Sequence, residues 1–226
     1  MPVLNLLKQL KDSPRGGMIA KAHPKPLLRV QPTAPDLVIA DAIAHHARPV
    51  PEKLGRALSW GADEHVLLAL ALVGWLGARG QDRSIRRVSD HMLLLIAAAS
   101  ALPHLMKRYI NQTRPDRETV LGHLNGVSFS GKREDAFPSG HALHMGAVAS
   151  AASLLPPRPR ALVRGIAVGL SLTRVLILAH WASDVVAGFL MGAALDRLLR
   201  PFTGCPSQLP RSRQATVAPS KPGRRS

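Results

Sequence analysis

Three short stretches of the 226-residue chain place basic, hydroxyl and imidazole groups where phosphate chemistry needs them. The first runs from Lys107 to Pro115 and carries Lys107 and Arg114. A compact ammonium and a forked guanidinium this close together suit an anion with several oxygens. Pro115 ends whatever helix precedes it. A chain with 30 Lys and Arg also produces such pairs by chance, so a solvated basic loop is the plainer account of this stretch taken alone. The second stretch, Phe137-Pro138-Ser139-Gly140-His141, opens an uncharged apolar run. Ser139 before a helix reads as an N-cap. The same geometry offers a phosphate free backbone N–H groups, a positive dipole end and a hydroxyl, with His141 beside it as an acid.

The third stretch runs from Thr173-Arg174 to His180 and Asp184 in an otherwise apolar region. Ionisable groups at membrane depth are costly and are functional candidates by default. His180 and Asp184 are four apart, which puts them on one helical face. Asp184 then accepts from one ring nitrogen, fixes the tautomer and leaves the other nitrogen free as a nucleophile. A His–Asp pair that merely staples two helices is the plainer account, and it leaves Arg174 unexplained. Together the three stretches hold three cations, a helix N-terminus, an oriented histidine and a second histidine as acid. Those are the parts of a phosphoryl transfer through phosphohistidine.

The elements that must position these groups are helices. Apolar runs at Val66–Ala78, His91–Met106, Ala136–Pro157 and Ala161–Leu195 are rich in Leu, Ala and Gly and lack polar alternation. The pattern predicts helices near 64–79, 91–107, 140–155, 161–179 and 182–198, with a weaker one near 35–47. No run is an unbroken span of ~20 apolar residues, so their number and grouping carry the reading: an all-α integral membrane helical bundle of five or six transmembrane helices. A soluble all-α protein with Ala/Leu-rich core helices is the alternative. Residues 1–33 and 201–226 read as basic flexible tails around a membrane domain at 34–200.

Charge separates the classes further. The formal net charge is +16 and aromatics are 4% of the chain. A nucleic-acid binder would want stacking platforms that this sequence lacks. In the predicted topology, 1–33, 79–90, 156–164 and 197–226 share one side and hold 20 of the 30 basic residues. The positive-inside rule then puts both tails in the cytoplasm and the three stretches at the outer face. Trp60 and Trp181 fall near the outer interface and Trp75 near the inner one. The segment Asp36–His46 is the weak point, since it can lie in the interface rather than span. Met1–Asp12 carries charges where the apolar region of a secretory signal would be. The lone Cys205 excludes a disulfide framework and multi-Cys metal sites.

The motifs Lys107-x6-Arg114-Pro115, Pro138-Ser139-Gly140-His141 and Arg174-x5-His180-x3-Asp184 resemble, in order and spacing, the three signatures of the type 2 phosphatidic acid phosphatase superfamily. The resemblance covers about residues 60–198. It implies an α-helical bundle that hydrolyses phosphomonoesters or pyrophosphates with no metal and no cofactor. It also implies roles: His180 attacks phosphorus, Asp184 orients it, and His141 protonates the leaving oxygen. Lys107, Arg114, Ser139, Gly140 and Arg174 hold the phosphoryl oxygens. Thr173 stands where the family usually has Ser and keeps a hydroxyl. The expected protein is therefore a lipid phosphatase of a bacterial inner membrane, its site facing the periplasm. Its partners are a lipid phosphate substrate (polyprenyl pyrophosphate, phosphatidic acid or phosphatidylglycerol phosphate class) and membrane lipids, with no nucleic acid. A vanadium haloperoxidase-like enzyme and a catalytically idle membrane scaffold are the rivals. The short chain counts against the first and the complete motif set against the second.

Overall fold

A computed structural model describes residues 26–46, 57–58, 60–115 and 134–205. Six α-helices carry the fold among them: α1 (Ala34–His46), α2 (Glu64–Gly77), α3 (Arg83–Met106), α4 (Gly140–Ala151), α5 (Pro157–Leu176) and α6 (Ala182–Thr203). The architecture is all-α, as the sequence predicts. A two-residue parallel pair, Leu28–Arg29 with Ile110–Asn111, is the one sheet among the described residues. Between the first two motifs, Gln112 donates to the Glu134 carbonyl and Ala136 to that of Gln112, which ties residues 112 and 134–136 together. Residues 116–133, with Lys132 and Arg133, lie outside the described residues, as do 1–25 and 206–226 of the expected tails.

Local chemistry sets each helix start. Asp63 accepts from the His65 and Val66 amides at the head of α2. Ser139 caps α4, its Oγ accepting from Ala142 N. Pro157 opens α5 at a position where the missing N–H costs nothing. Gly204, at φ +61°, closes α6 in the left-handed conformation. Where the sequence predicts an Arg-rich loop at 79–90, α3 instead starts at Arg83. Arginine is a good helix former, and Arg83, Arg86 and Arg87 extend the apolar helix by a polar first turn and a half.

α4 is the central helix. It packs most extensively against α6, then α5, then α3, while α2 rides on α3 and α1 touches α6. The α4–α6 seam is backbone on backbone. A Cβ at Gly146 would overlap the Phe189 carbonyl, one at Gly192 the Leu143 carbonyl, and one at Gly188 would stand 2.5 Å from the Ser139 carbonyl. Small residues at such seams let helices approach closely where lipid supplies no hydrophobic drive. The interior is accordingly small and polar: many alanines, plus His91, His144, Asp184 and Asp196, are buried. Many large apolar side chains point outward, among them Leu70, Val73, Leu162, Ile166, Leu190 and Leu198, while Trp181, Leu95, Leu143 and Leu178 are buried. Only α3 has the length and hydropathy expected of a membrane-crossing helix among the described residues.

Chain direction corrects one expectation. The heads of α2, α4 and α6 and the tails of α3 and α5 share one end of the bundle. Residues 27–30 hydrogen-bond to Tyr109 and Asn111 at that same end, and the head of α1 is bonded to the head of α6 through Asp36 and Ser183. The N-terminal segment therefore enters at the end that bears the three motifs, opposite the end of α6. The first and last described residues, Pro26 and Cys205, therefore lie at opposite ends of the bundle, where the expectation put both ends of the domain on one side. Trp181 is a second correction: it is 1% exposed and donates from Nε1 to the Thr113 carbonyl, so it is core and not interface. Trp60 is exposed.

Candidate active site

Three elements converge on a small cavity at that end: the turn after α3, the head of α4 and the bend between α5 and α6. The cavity measures about 180 Å³ and is lined by Lys107, Arg114, Gly140, His141, Arg174 and His180, with Asp63, Glu64, Pro103, His104 and His144 around them. Six of the eight residues singled out in the sequence thus meet in one place, although 67 positions separate Lys107 from Arg174. The other two sit behind the wall. Ser139 is fully buried and its Oγ serves the α4 cap. Asp184 is fully buried at the head of α6.

His180 is not on a helix. α5 ends at Leu176 and α6 begins at Ala182, so His180 sits on the irregular bend between them. The bend is forced. Leu178 holds φ +52°, a left-handed conformation that a bulky residue adopts only when its surroundings dictate it. Those surroundings are Ala40, Ala44, Ala136 and Trp181, which bury its side chain, while the amides of Ala179 and His180 both donate to the Arg174 carbonyl.

The hydrogen bonding of His180 corrects a third expectation. Its Nδ1 lies 2.6 Å from the Ala136 carbonyl and 3.9 Å from Asp184 Oδ2. A carbonyl only accepts, so Nδ1 carries the proton and Nε2 presents its lone pair. Ala136, not Asp184, makes the direct contact. The physical reason is the helix start: Asp184 is the third residue of α6, and its Oδ2 accepts from the Trp181 amide as a cap at 3.0 Å.

Around Nε2 the field is positive. Arg114 stands 3.5 Å from Nε2 through Nη1, and the same nitrogen donates to the Ala179 carbonyl at 2.8 Å. Burial, followed by the charges of Arg114, Arg174 and Lys107, holds the His180 imidazolium well below its ordinary range, so the ring is neutral at pH 7. Asp135 occupies the other side of the cations, 2.8 Å from Arg114 Nε and 3.9 Å from Lys107 Nζ. Burial pulls the Lys107 ammonium down and the Asp135 charge pushes it back up, with a net lowering.

Sequence reasoning missed several contributors. Asp135 had no motif to mark it, and the Ala136 carbonyl is a backbone atom whose residue type carries no signal. Asp36, 2% exposed, joins two helix heads. Its carboxylate accepts from Thr33 N and Oγ1 at the start of α1 and from Ser183 N and Oγ at the start of α6. Burial pushes that carboxyl up, yet the bonds from Ser183 and Thr33 hold it below its usual value. The Thr33-x2-Asp36 spacing is a capping box, which was a readable signal for the α1 contact.

Comparison with known proteins agrees with the motif geometry. Residues 91–204 match the PAP2 superfamily, half of the chain. The chain is 35% identical over 122 residues to a lipid A 1-phosphatase of Rhizobium johnstonii, covering 54% of this chain and 45% of that protein. It thus spans about half the length of the curated relatives it matches. Among solved structures it resembles a transmembrane PAP2-type phosphatidylglycerolphosphate phosphatase from Bacillus subtilis (TM-score 0.61, 22% identity, covering 75% of this chain and 85% of that one). It also resembles LpxE of Aquifex aeolicus (TM-score 0.54, 18% identity, 74% and 94%). At these identities the likeness is one of fold.

Proposed function

The chain belongs to the PAP2 superfamily, and from that premise we propose that it is a membrane phosphatase that hydrolyses the phosphomonoester or pyrophosphate of a lipid headgroup through a phosphohistidine on His180. The observation that carries the reading is the cavity: three cations, His141, His180 and the head of α4 line a space of about 180 Å³ that has room for a phosphoryl group. Lys107, Arg114 and Arg174 take the non-bridging oxygens, with the free amides at Gly140 and His141. His180 Nε2 attacks phosphorus, the bond to the leaving oxygen breaks, and His141 gives that oxygen a proton. Water then attacks the phosphohistidine, His141 takes its proton back, and phosphate leaves. Three fixed cations do the electrostatic work that a divalent ion does in other phosphatases.

Membrane embedding is part of the same reading, with α2 to α6 as the spans. α3, α5 and α6 run about 30–36 Å at 1.5 Å per residue, enough to cross a hydrocarbon core. Their outward faces carry Leu94, Leu162, Ile166, Val168, Leu190 and Leu198. Among the described residues outside the cavity, Arg79, Arg83, Arg86, Arg87, Arg158 and Arg160 lie at the far end and Arg29 and Arg108 at the cavity end. That bias supports a cytoplasmic far end and a site facing the outside.

Among headgroups, the shared name of the curated relatives favours a sugar 1-phosphate of the lipid A kind, ahead of the polyprenyl and glycerolipid classes. The test is phosphate release from a panel of lipid A, phosphatidylglycerol phosphate, phosphatidic acid and polyprenyl pyrophosphate in detergent with EDTA. We expect release from at least one, fastest from lipid A, and a loss of several orders of magnitude in His180→Ala. Activity that EDTA abolishes and Mg²⁺ restores, or a His180→Ala variant retaining about a tenth of the rate, would overturn the mechanism.

A further inference from the structure

A second cavity, about 560 Å³, opens between α4, α5 and α6 on the side of the bundle away from the catalytic cavity. Gly146, Phe189 and Leu190 form its apolar wall, and Arg164, Arg197 and Arg200 bring three guanidiniums to its far end. Ser153 lies 13 residues along from Gly140, including the short 3-10 turn after α4, so the charged end is roughly 20 Å from the catalytic head.

The arginines differ in how they are held. Arg200 is anchored: Asp196 Oδ2 accepts from its Nε at 3.1 Å and Nη2 at 2.8 Å, and Ser153 Oγ accepts from Nη2 at 2.7 Å. Asp196 is itself fully buried and fixed by Ser150 Oγ and by His91 Nε2. That carboxylate neutralises Arg200 from behind and leaves the Ser153 hydroxyl hydrogen to donate. Arg164 is steered by a bond from Nε to the Ala149 carbonyl at 3.2 Å. Neither Arg164 nor Arg197 forms an ion pair with a carboxylate among the described residues, so the cavity keeps two uncompensated positive charges. Its side wall continues onto the outer surface through Val168 and Leu190, 47% and 63% exposed.

A slot that is apolar along its length and cationic at one end matches an amphiphile with an anionic head. We propose that it is a second, non-catalytic lipid site, which takes the phosphate of an anionic phospholipid from the leaflet opposite the catalytic cavity, with one acyl chain along Val168 and Leu190. Arg164, Arg197 and the Ser153 hydroxyl hold the phosphate oxygens. Charge complementarity sets the choice of occupant: a zwitterionic head brings its own cation to the arginines and gains less. The proposal rests on the membrane embedding argued above and is independent of the phosphatase chemistry.

Native mass spectrometry of the full chain in detergent tests it, with phosphatidylglycerol, phosphatidylcholine and inorganic phosphate as probes. Wild type is expected to retain phosphatidylglycerol at least tenfold better than phosphatidylcholine, with 10 mM inorganic phosphate failing to displace it. Each surface cation near a headgroup contributes about fivefold, so the R164Q/R197Q double variant should lose about thirtyfold in phosphatidylglycerol retention. Its rate on the lipid phosphate panel should stay within twofold of wild type. Equal retention of both lipids, displacement by inorganic phosphate, or undiminished binding in the double variant would each overturn the site. The last outcome would place the bound lipid elsewhere, such as the catalytic cavity. If the double variant does not fold, the three wild-type arms and the single R197Q variant decide. Failure of hydrolysis by every form would sink the phosphatase reading and leave this one standing.

Discussion

Gly188→Ala is the sharpest probe of how this fold sets its chemistry. A Cβ at Gly188 would stand 2.5 Å from the Ser139 carbonyl, and 3.4 Å from both Ala142 Cβ and Leu143 N. The carbonyl cannot step aside, because it accepts the first intrahelical bond of α4 from Leu143 N at 3.0 Å. Real Cβ–oxygen contacts stay above about 3 Å, so α4 and α6 must part by about half an ångström at the cavity end. That displacement separates His141, on α4, from His180, on the bend leading into α6. A reacting geometry that is 1 Å wrong costs about a hundredfold, so half that shift should cost about tenfold in kcat with KM little changed. Overpacking should cost about 1–3 kcal/mol of stability, offset by up to about 1 kcal/mol of helix propensity. Gly165→Ala is the control, since a Cβ there meets nothing within 4 Å. It should keep its rate and gain a few tenths of a kcal/mol or more. Phosphate release and thermal unfolding of both variants in the same detergent give the readout. A Gly188→Ala enzyme within twofold of wild-type kcat would refute the claim that this close seam aligns the two histidines.

Three further expectations concern the groups around that seam. Asp36→Asn cannot accept all four donors from Thr33 and Ser183; it should lose about 1–3 kcal/mol in unfolding and fall severalfold in kcat, while the exposed Asp41→Asn changes neither. The lowered pKa of His180 means that the neutral ring persists as pH falls through 6.5 and protonates only well below it. An imidazole NMR titration, assigned with His180→Gln, should therefore show no His180 transition between pH 6 and 8, and a midpoint near 6.5 would contradict the buried, cation-ringed site. For topology, with Cys205→Ser as background, Leu27→Cys should react with a membrane-impermeant maleimide in intact spheroplasts and Phe202→Cys should not. Those side chains are 80% and 85% exposed at opposite ends of the bundle, so labelling of both, or the reverse pattern, would sink the orientation.

The helices were legible because uninterrupted apolar runs end at residues that stop helices, such as Gly80 and the Pro156-Pro157 pair; Pro115, expected to end the helix before it, lies well beyond α3, which already stops at Met106. The motif residues were legible because an Arg, a His and an Asp have no business in such runs unless they do something. What failed was one-dimensional inference about three-dimensional partners. Spacing by four suggested a helical His180–Asp184 pair, but the strained Leu178 turn takes His180 off the helix and hands its Nδ1 to a carbonyl 44 residues away. Counting basic residues by loop placed the N-terminal segment with the C-terminal one. The contacts that override it, Leu28 with Ile110 and Asp36 with Ser183, join residues whose sequence distance hides them. Trp181 went wrong for a related reason: position near an interface says nothing about which way a ring folds.

The packing logic explains why a site this polar survives inside an apolar protein. In a soluble domain, burial of large side chains holds the elements together and polar groups are pushed outward. Here many large side chains face out, and much of the cohesion comes from close backbone contact at Gly146, Gly188 and Gly192 and from buried polar ties. Those ties sit at both ends: Asp36 and Asp184 at the heads of α1 and α6, and Asp196 with His91, Ser150 and Arg200 near the far end. Asp36 and Asp196 each accept from several donors on both oxygens, so they sit buried without an unpaired atom. At the cavity, Asp135 plays that part only provisionally. It is partly exposed, it touches Arg114 and Lys107 from the solvent side, and a phosphoryl group with more oxygens and more charge competes for the same two cations. A phosphoryl substrate of the proposed kind would take over the cations that Asp135 now holds, while the carboxylates that position the helices stay out of reach.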